Sequence, residues 1–315
     1  MTSLEERQML RETVASLIDK HASSAAVRAA MDSPRGYDEA LWSLLCEQVG
    51  VAALVVPEEF GGAGGELADA AAVLEELGRA LVPTPLLGTT LAELALLAAD
   101  EPDSDTVEQL AAGVAIGAVV FDRDYVVNGD VADVVVAVED ARLVRWSDVS
   151  AEAVSTVDPT RRLARVKAAA AEAIGTDPGL ADTAAILLAA EQVGAAARCL
   201  ELTVAYTKDR VQFGRPIGSF QALKHRMADL YVAVQSARAV VGDAIAEPGP
   251  TSAALARLAA SEAFTKVAGE AIQLHGGIAI TWEHDIQLYF KRAHGSAQLF
   301  GPPRDQLRRL ESEVF

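Results

Sequence analysis

Basic residues are scarce in this sequence. Its 315 residues hold 27 Lys and Arg against 45 Asp and Glu, a net charge of -18. A surface of that sign repels phosphate backbones and anionic lipid heads. Neither nucleic acid nor a membrane is therefore expected as a partner, and any local cluster of cations gains weight, because an anionic ligand would need one. Cysteine is nearly absent. Cys46 and Cys199 lie in helical-looking apolar stretches without CxxC or His-rich spacing, so both read as core. His275, His284 and His294 lack the carboxylate or histidine companions of a metal site, and no metal is expected. The start MTSLEERQML is charged from the fifth residue and has no apolar leader segment. No run reads as long enough to span a membrane, so the expectation is a soluble, cytoplasmic protein. There is no internal repeat and no low-complexity tract.

What is present divides into three textures. Residues 1–114 are rich in Ala, Leu and Glu, with apolar residues three and four apart, as in Leu41, Leu44, Leu45 and Val49. That spacing predicts helices. They are interrupted at 55–66, where Pro57 and four glycines break the period before the helix AAAVLEELGRAL. Residues 115–170 switch to short Val-rich runs, AVVF, YVV and ADVVVAVE, separated by turn residues such as Asp122, Asp124 and Asp140. This predicts a small β region of about four to six strands at ordinary strand lengths. Residues 171–315 return to helical spacing, with stripes through Leu223, Met227, Leu230, Val234, Val241 and Ile245, and through Leu255, Leu258, Ala271 and Leu274. The expected fold is mainly α: a helical N-terminal domain, a small reduced β middle domain, and a C-terminal bundle of four long helices.

The cation cluster sits in YTKDRVQFGRPIGSFQALKHRMADL, residues 206–230. The stretch leaves one helix, turns through Gly214, Pro216 and Gly218, and enters another at Ser219, a suitable N-cap. Arg210, Arg215, Lys224, His225 and Arg226 thereby gather at a helix N-terminus, which favours anions on its own account. A pyrophosphate would suit this corner, and so would an ordinary helix corner with solvated charges; spacing does not choose between them.

RVQFGRPIGSFQALKHRMADL resembles the signature of the acyl-CoA dehydrogenase family over a long ungapped stretch. The resemblance implies FAD as cofactor, with Arg210 pairing with its pyrophosphate, Phe213 and Ile217 packing on it, and Gln221 bonding its ADP part across a subunit interface. AIQLHGGIAITWEHDIQLYFKRA, at 271–293, is similar to a second family segment and adds Gln273, Gly276 and Gly277 to the ADP contacts; the family's third glycine is Ala279 here. Trp42 before Gly50, PEEFGGAGG and LEELGRAL resemble the helical N-terminal domain, so the likeness covers nearly the whole chain and is strongest over 185–293.

Two family features are missing. The reaction removes a proton next to the thioester, which needs a carboxylate shielded from water. The family's usual position for that base falls on Phe300, in LFGPP, and its alternative position falls near Ala184; Glu191 is the nearest substitute. The middle region also lacks the two segments that hold the flavin ring in the family. These departures resemble the short subunit of heteromeric acyl-CoA dehydrogenases, which pairs with a full-length homologous subunit carrying the base. The expectation is a subunit of an acyl-CoA dehydrogenase that supplies an ADP clamp and acts on an acyl-CoA through its partner. Two rivals stand beside it: a self-sufficient enzyme using Glu191, Glu283 or Asp285 as a displaced base, and a flavin-free acyl-CoA binder or scaffold on the same fold.

Overall fold

The computed structural model of the chain describes residues 3–314. Six helices come first: α1 (Leu4–His21), α2 (Ser24–Met31), α3 (Glu39–Val49), α4 (Leu67–Arg79), α5 (Leu86–Leu97) and α6 (Ser104–Ala111). Their starts are written locally. Ser3 accepts the Glu6 N–H while the Glu6 carboxylate accepts the Ser3 N–H, so α1 opens on a reciprocal capping box. Asp38 caps α3 through the N–H groups of Ala40 and Leu41, and Gly50 closes it in the left-handed region at φ 72°.

The β region follows as β1 (Gly117–Val120), β2 (Val126–Val127), β3 (Val134–Glu139), β4 (Arg142–Val154) and β5 (Leu163–Thr176). They form one sheet in the order β1-β3-β4-β5-β2, with β1 parallel to β3 and every other pair antiparallel. The long β4–β5 ribbon carries the sheet to residue 176, beyond the 170 expected from sequence, because its last stretch AAAAEAIGT alternates poorly and reads as helix.

The C-terminal half comprises α7 (Leu180–Asp209), a two-stranded hairpin of β6 (Val211–Gln212) and β7 (Arg215–Pro216), α8 (Gln221–Ala246), α9 (Pro250–His275), α10 (Ile286–Gln298) and α11 (Pro303–Val314). Three of these helices are long, at 30, 26 and 26 residues, and two are short, at 13 and 12; the fourth long helix expected is thus broken after Gln298. Leu255 corrects a second expectation. It is 44% exposed, and α9 buries instead a run of small residues, Ala253, Ala256, Ala260 and Ala263, which lets it approach α7 closely. Helix α7 is also long and apolar enough to cross a membrane by length and composition, which the sequence reading missed; 83% of that window is buried inside the fold. Its apolar surface is accounted for by packing.

Helices α4 and α7 cross at backbone contact. A Cβ on Gly78 would lie 2.2 Å from the Glu191 carbonyl oxygen, and one on Gly194 would lie 2.0 Å from that of Glu75. Only glycine fits either position, and this crossing fixes where Glu191 sits.

One core residue breaks the apolar rule. Glu93 on α5 is fully buried, and neither carboxylate oxygen has a hydrogen-bond partner among the described residues. Burial pushes its carboxyl well above the usual carboxylate range, so the native state holds it protonated. The unfolded chain then binds fewer protons than the native one once pH exceeds about 4.3, and stability falls as pH rises through that window up to the folded value. Glu93→Met is expected to raise stability at neutral pH by about 1–3 kcal/mol. Urea unfolding at several pH values checks it, since the variant should show a flatter pH dependence above the ordinary carboxylate range.

Candidate functional site

The cation corner forms where α7 ends. Arg210 is the C-cap, its N–H donating to the Tyr206 carbonyl at 2.9 Å and its carbonyl accepting the Ile217 N–H at 2.8 Å, which folds the hairpin back onto the helix end. Phe213 and Gly214 occupy the hairpin turn at φ 53° and 76°. Two successive residues in that region make the mirror-image turn that suits a two-residue hairpin, easy for glycine and strained by about 1–2 kcal/mol for phenylalanine. The strained ring is 91% exposed, at 6.2 Å and right angles to Phe220. An aromatic held outward at a conformational cost is the kind of feature found at contact sites.

Ser219 does not cap α8. A short 3-10 turn covers Ile217–Ser219, the Ser219 hydroxyl donates to the Pro216 carbonyl, and α8 begins after Phe220 with no side-chain cap. The cluster is also thinner than its spacing suggests. Arg226 pairs with Glu270, and Arg215 lies 4.0 Å over the Phe220 ring. Arg210 and Lys224 remain exposed and enter no ion pair among the described residues. Gln221 is exposed, with its amide 2.9 Å from His225, and Ile217 is half-buried beneath the turn.

The second segment arrives at the same end of the bundle. Tyr206, one turn before Arg210, stacks on His275 at 4.2 Å, and its hydroxyl donates to the His275 carbonyl. His275 closes α9, is buried, and places its Nδ1 2.8 Å from the Ala271 carbonyl. Burial pulls its ring below the ordinary histidine range, so it stays neutral at pH 7. Gly276 follows at φ 66° and ψ -142°, a region open essentially to glycine alone. Gly276 and Gly277 are exposed, and a Cβ on either would meet nothing within 4 Å. Gln273 is exposed on the last turn of α9. The tertiary fold thus gathers Arg210, Phe213, Gln221, Gln273 and the glycine pair around one end of α7 and α9, all but Ile217 of the sequence-derived set being exposed. This donor set and the open glycine backbone fit a diphosphate with its attached nucleoside.

The other end of α10 carries the corner where a base would be sought. Phe300 sits at φ 52° and meets Phe121 edge-to-face at 5.3 Å. Arg257, fully buried, holds this corner: its guanidinium donates to the carbonyls of Ser296 and Leu299 and to Gln192 and Ser261. Sequence reading missed Arg257, because nothing marks one arginine inside the Ala-rich run TSAALARLAAS as buried.

Glu191 is buried between two guanidinium groups. Arg161 Nη2 lies 2.5 Å from its Oε1 and Arg292 Nη1 lies 2.7 Å from the same oxygen. Arg292 also reaches Asp158 at 3.1 Å and the Thr160 hydroxyl and carbonyl. Burial alone would raise the Glu191 carboxyl; Arg161 and then Arg292 overcome it and hold the carboxyl below its usual range. Arg161 is itself pulled down by burial and by its neighbour Arg292. The direction that governs the pair is the carboxylate's, since one anion faces two cations. Such a group is a poor proton acceptor. Glu283 and Asp285 fare no better: they precede α10, so about 20 Å of helix separates them from Phe300. Glu283 is exposed, and Asp285 accepts from Ser24 and Arg28.

Comparison with known proteins identifies the family. Residues 4–113 match the acyl-CoA dehydrogenase N-terminal domain and residues 179–311 the acyl-CoA dehydrogenase C-terminal domain. The chain is 72% identical over 315 residues to acyl-CoA dehydrogenase IpdE2 of Mycobacterium tuberculosis, covering 100% of this chain and 99% of that one. It is 70% identical over 311 residues to acyl-CoA dehydrogenase IpdE2 of Mycolicibacterium smegmatis, covering 99% of each. Among solved structures it superposes on a chain of the Tcur3481-Tcur3483 steroid ACAD with a TM-score of 0.88 at 27% identity, covering 98% of each chain. It superposes on a chain of the ChsE4-ChsE5 complex from Mycobacterium tuberculosis with a TM-score of 0.86 at 26% identity, covering 99% of this chain and 98% of that one. With both family domains in place and a full-length relative at this identity, the chain belongs to the acyl-CoA dehydrogenase family of oxidoreductases.

Proposed function

We propose that this chain is the base-lacking subunit of a heteromeric, FAD-dependent acyl-CoA dehydrogenase, and that it clamps the ADP half of an FAD whose ring and catalytic carboxylate lie on a full-length homologous subunit. The observation that carries the reading is the pairing of an exposed, unneutralised Arg210 corner with a base position filled by Phe300. Bound FAD supplies the hydride acceptor for desaturating an acyl-CoA thioester. The residues of this chain bind and orient: Arg210 offers a fork of charged donors to a diphosphate, Gln221 and Gln273 offer amides, and Gly276 and Gly277 let a ligand approach the backbone. The strained, outward Phe213 offers an apolar contact to whatever covers that face. Two complexes superposing on this chain, Tcur3481-Tcur3483 and ChsE4-ChsE5, are built from two differently named subunits, which supports a heteromer here.

The inner cavity points the same way. The space between Leu74, Leu77 and Leu87 and the Arg161–Glu191–Arg292 network measures about 20 Å³. That is room for one water and not for an acyl chain. The deciding experiment is flavin content after purification, alone and co-expressed with a full-length homologous subunit. Full FAD occupancy and acyl-CoA-dependent bleaching are expected only in the co-expressed complex. A lone chain that is yellow and bleaches with acyl-CoA would replace this reading with a self-sufficient enzyme.

A further inference from the structure

Two histidines stand beside the glycine pair of the clamp corner, His275 buried and His284 half-buried. His275 stacks on Tyr206 at 4.2 Å, and His284 meets the His275 ring edge-on at 4.6 Å. A carbonyl can only accept, so the His275 Nδ1 facing the Ala271 carbonyl carries the proton; its buried Nε2 is a bare lone pair with no partner among the described residues. His284 has the opposite tautomer. Its Nδ1 accepts the Ile286 N–H at 3.1 Å, which leaves the proton on Nε2. The neutral ring thereby supplies an acceptor to the first residue of α10, where the N-cap Asp285 gives no side-chain bond.

That bond sits at the root of a chain of others. The glycine pair opens the 3-10 turn Gly276–Ile280, whose end is fixed by the Thr281 N–H and hydroxyl, both donating to the Ile278 carbonyl. The Gln287 amide, on the first turn of α10, donates to the Thr281 carbonyl at 2.6 Å. The backbone of Gly276 and Gly277 is therefore tied to α10 through Thr281, and the first turn of α10 is held by His284. A proton on Nδ1 turns that acceptor into a donor, sets it against the Ile286 N–H, and places a cation at the positive end of a helix. The groups facing His284 do not offset that charge. Arg28 faces it from α2, Tyr206 from α7 and His275 from α9, while Lys291 of α10 lies over Trp282. On its own segment Asp285 already accepts from Ser24 and Arg28, and Glu283 is exposed. Burial pulls both rings below the ordinary histidine range, with Asp285 raising and Arg28 lowering His284 to a smaller extent. Below about pH 6.5 the unfolded chain then binds more protons than the native one, so this arrangement loses stability as pH falls through that window.

We propose that His284 is a positioning residue: its neutral ring pins the glycine end of the dinucleotide clamp, and a proton on it frees the segment from Gly276 to Ile286, so that the clamp holds at neutral pH and loosens on acidification. The ligand of this device rests on the clamp reading above; the motion of the segment does not.

Amide hydrogen exchange on the full-length chain, at about one pH unit either side of the ordinary histidine value and corrected for the intrinsic rate, tests the motion without any flavin. Protection over 277–287 should fall about 3–10-fold on the acid side, the worth of one hydrogen bond. It should hold over 256–266 of α9, which contains no histidine. His284→Asn keeps an acceptor for the Ile286 N–H, as asparagine does in an Asx turn, and cannot be charged; its protection should change less than about twofold between the two conditions. His284→Leu has no acceptor and should give the low protection in both. In the co-expressed complex the FAD dissociation constant should rise about 3–10-fold on acidification in the parent and stay level in His284→Asn. Circular dichroism establishes that each variant folds; where one does not, the parent's contrast between 277–287 and α9 decides. Level protection in the parent, or an asparagine variant that follows the parent, overturns the positioning role. Protection that falls while FAD retention holds or tightens overturns the coupling to the ligand, and Arg210→Ala reports separately on the clamp itself.

Discussion

Glu191→Gln is expected to lower stability by about 3–5 kcal/mol, because it leaves Arg161 and Arg292 buried with one fewer anion between them. The same substitution decides whether Glu191 has a chemical role. A general base replaced by its amide loses about 10²–10⁴ in rate. A structural carboxylate loses stability and nothing else, so turnover per folded complex should change by less than about twofold, a barrier difference of about 0.4 kcal/mol. Urea unfolding and single-turnover flavin reduction separate the two. The acid side of the stability profile gives a third readout. With its folded carboxyl held below the usual range, Glu191 contributes stability that is present above the unfolded pKa, about 4.3, and lost as pH falls through the folded value. Glu191→Gln should therefore flatten the acid limb. A large rate loss with little loss of stability would overturn the structural role and restore Glu191 as a base candidate.

The network that makes this effect large was invisible in the sequence, and the reason is distance along the chain. Arg161 and Arg292 lie 30 and 101 residues from Glu191, and no local period links a β-region arginine, a bundle glutamate and an α10 arginine. Charged residues are mostly exposed, so each alone reads as surface. Arg257 was missed for the same reason, since four acceptors from three segments meet it only after the helices pack. What was legible was local. Helical spacing located most helices, the Val-rich runs located the sheet, and the Arg210 and Gly276 segments each read correctly as helix ends because turn residues and glycines act over a few positions. The failures at Ser219 and Leu255 are of one kind. A serine at a turn has more than one acceptor within reach, and a leucine among alanines gives no sign of which stripe will be pressed against α7. Glu93 shows the limit of patterning: its place on α5 is apolar by period and its side chain is not.

Arg210→Ala should release FAD from the assembled complex, weakening its retention by about 10–100-fold, the worth of a hydrogen bond between charged partners. The size follows from the setting. On a chain of net charge -18 an exposed arginine without a carboxylate partner sits in a field that would favour one, and at α7's end its backbone, not its guanidinium, holds the hairpin in place. Removing the side chain therefore costs the fold less than about 0.5 kcal/mol, so the loss falls on the ligand. Arg210→Lys keeps the charge without the planar fork and should recover part of the affinity. Lys224→Ala, which removes an exposed cation from the adjoining turn of α8, should weaken retention no more than about threefold, as expected of a screened charge. The measurements are FAD retained after gel filtration and its dissociation constant at two salt concentrations. Higher salt should narrow the gap between the parent and Arg210→Ala, because screening weakens only the term the variant has lost. Unchanged retention in a folded Arg210→Ala complex would sink the clamp, whatever the rest of the corner does.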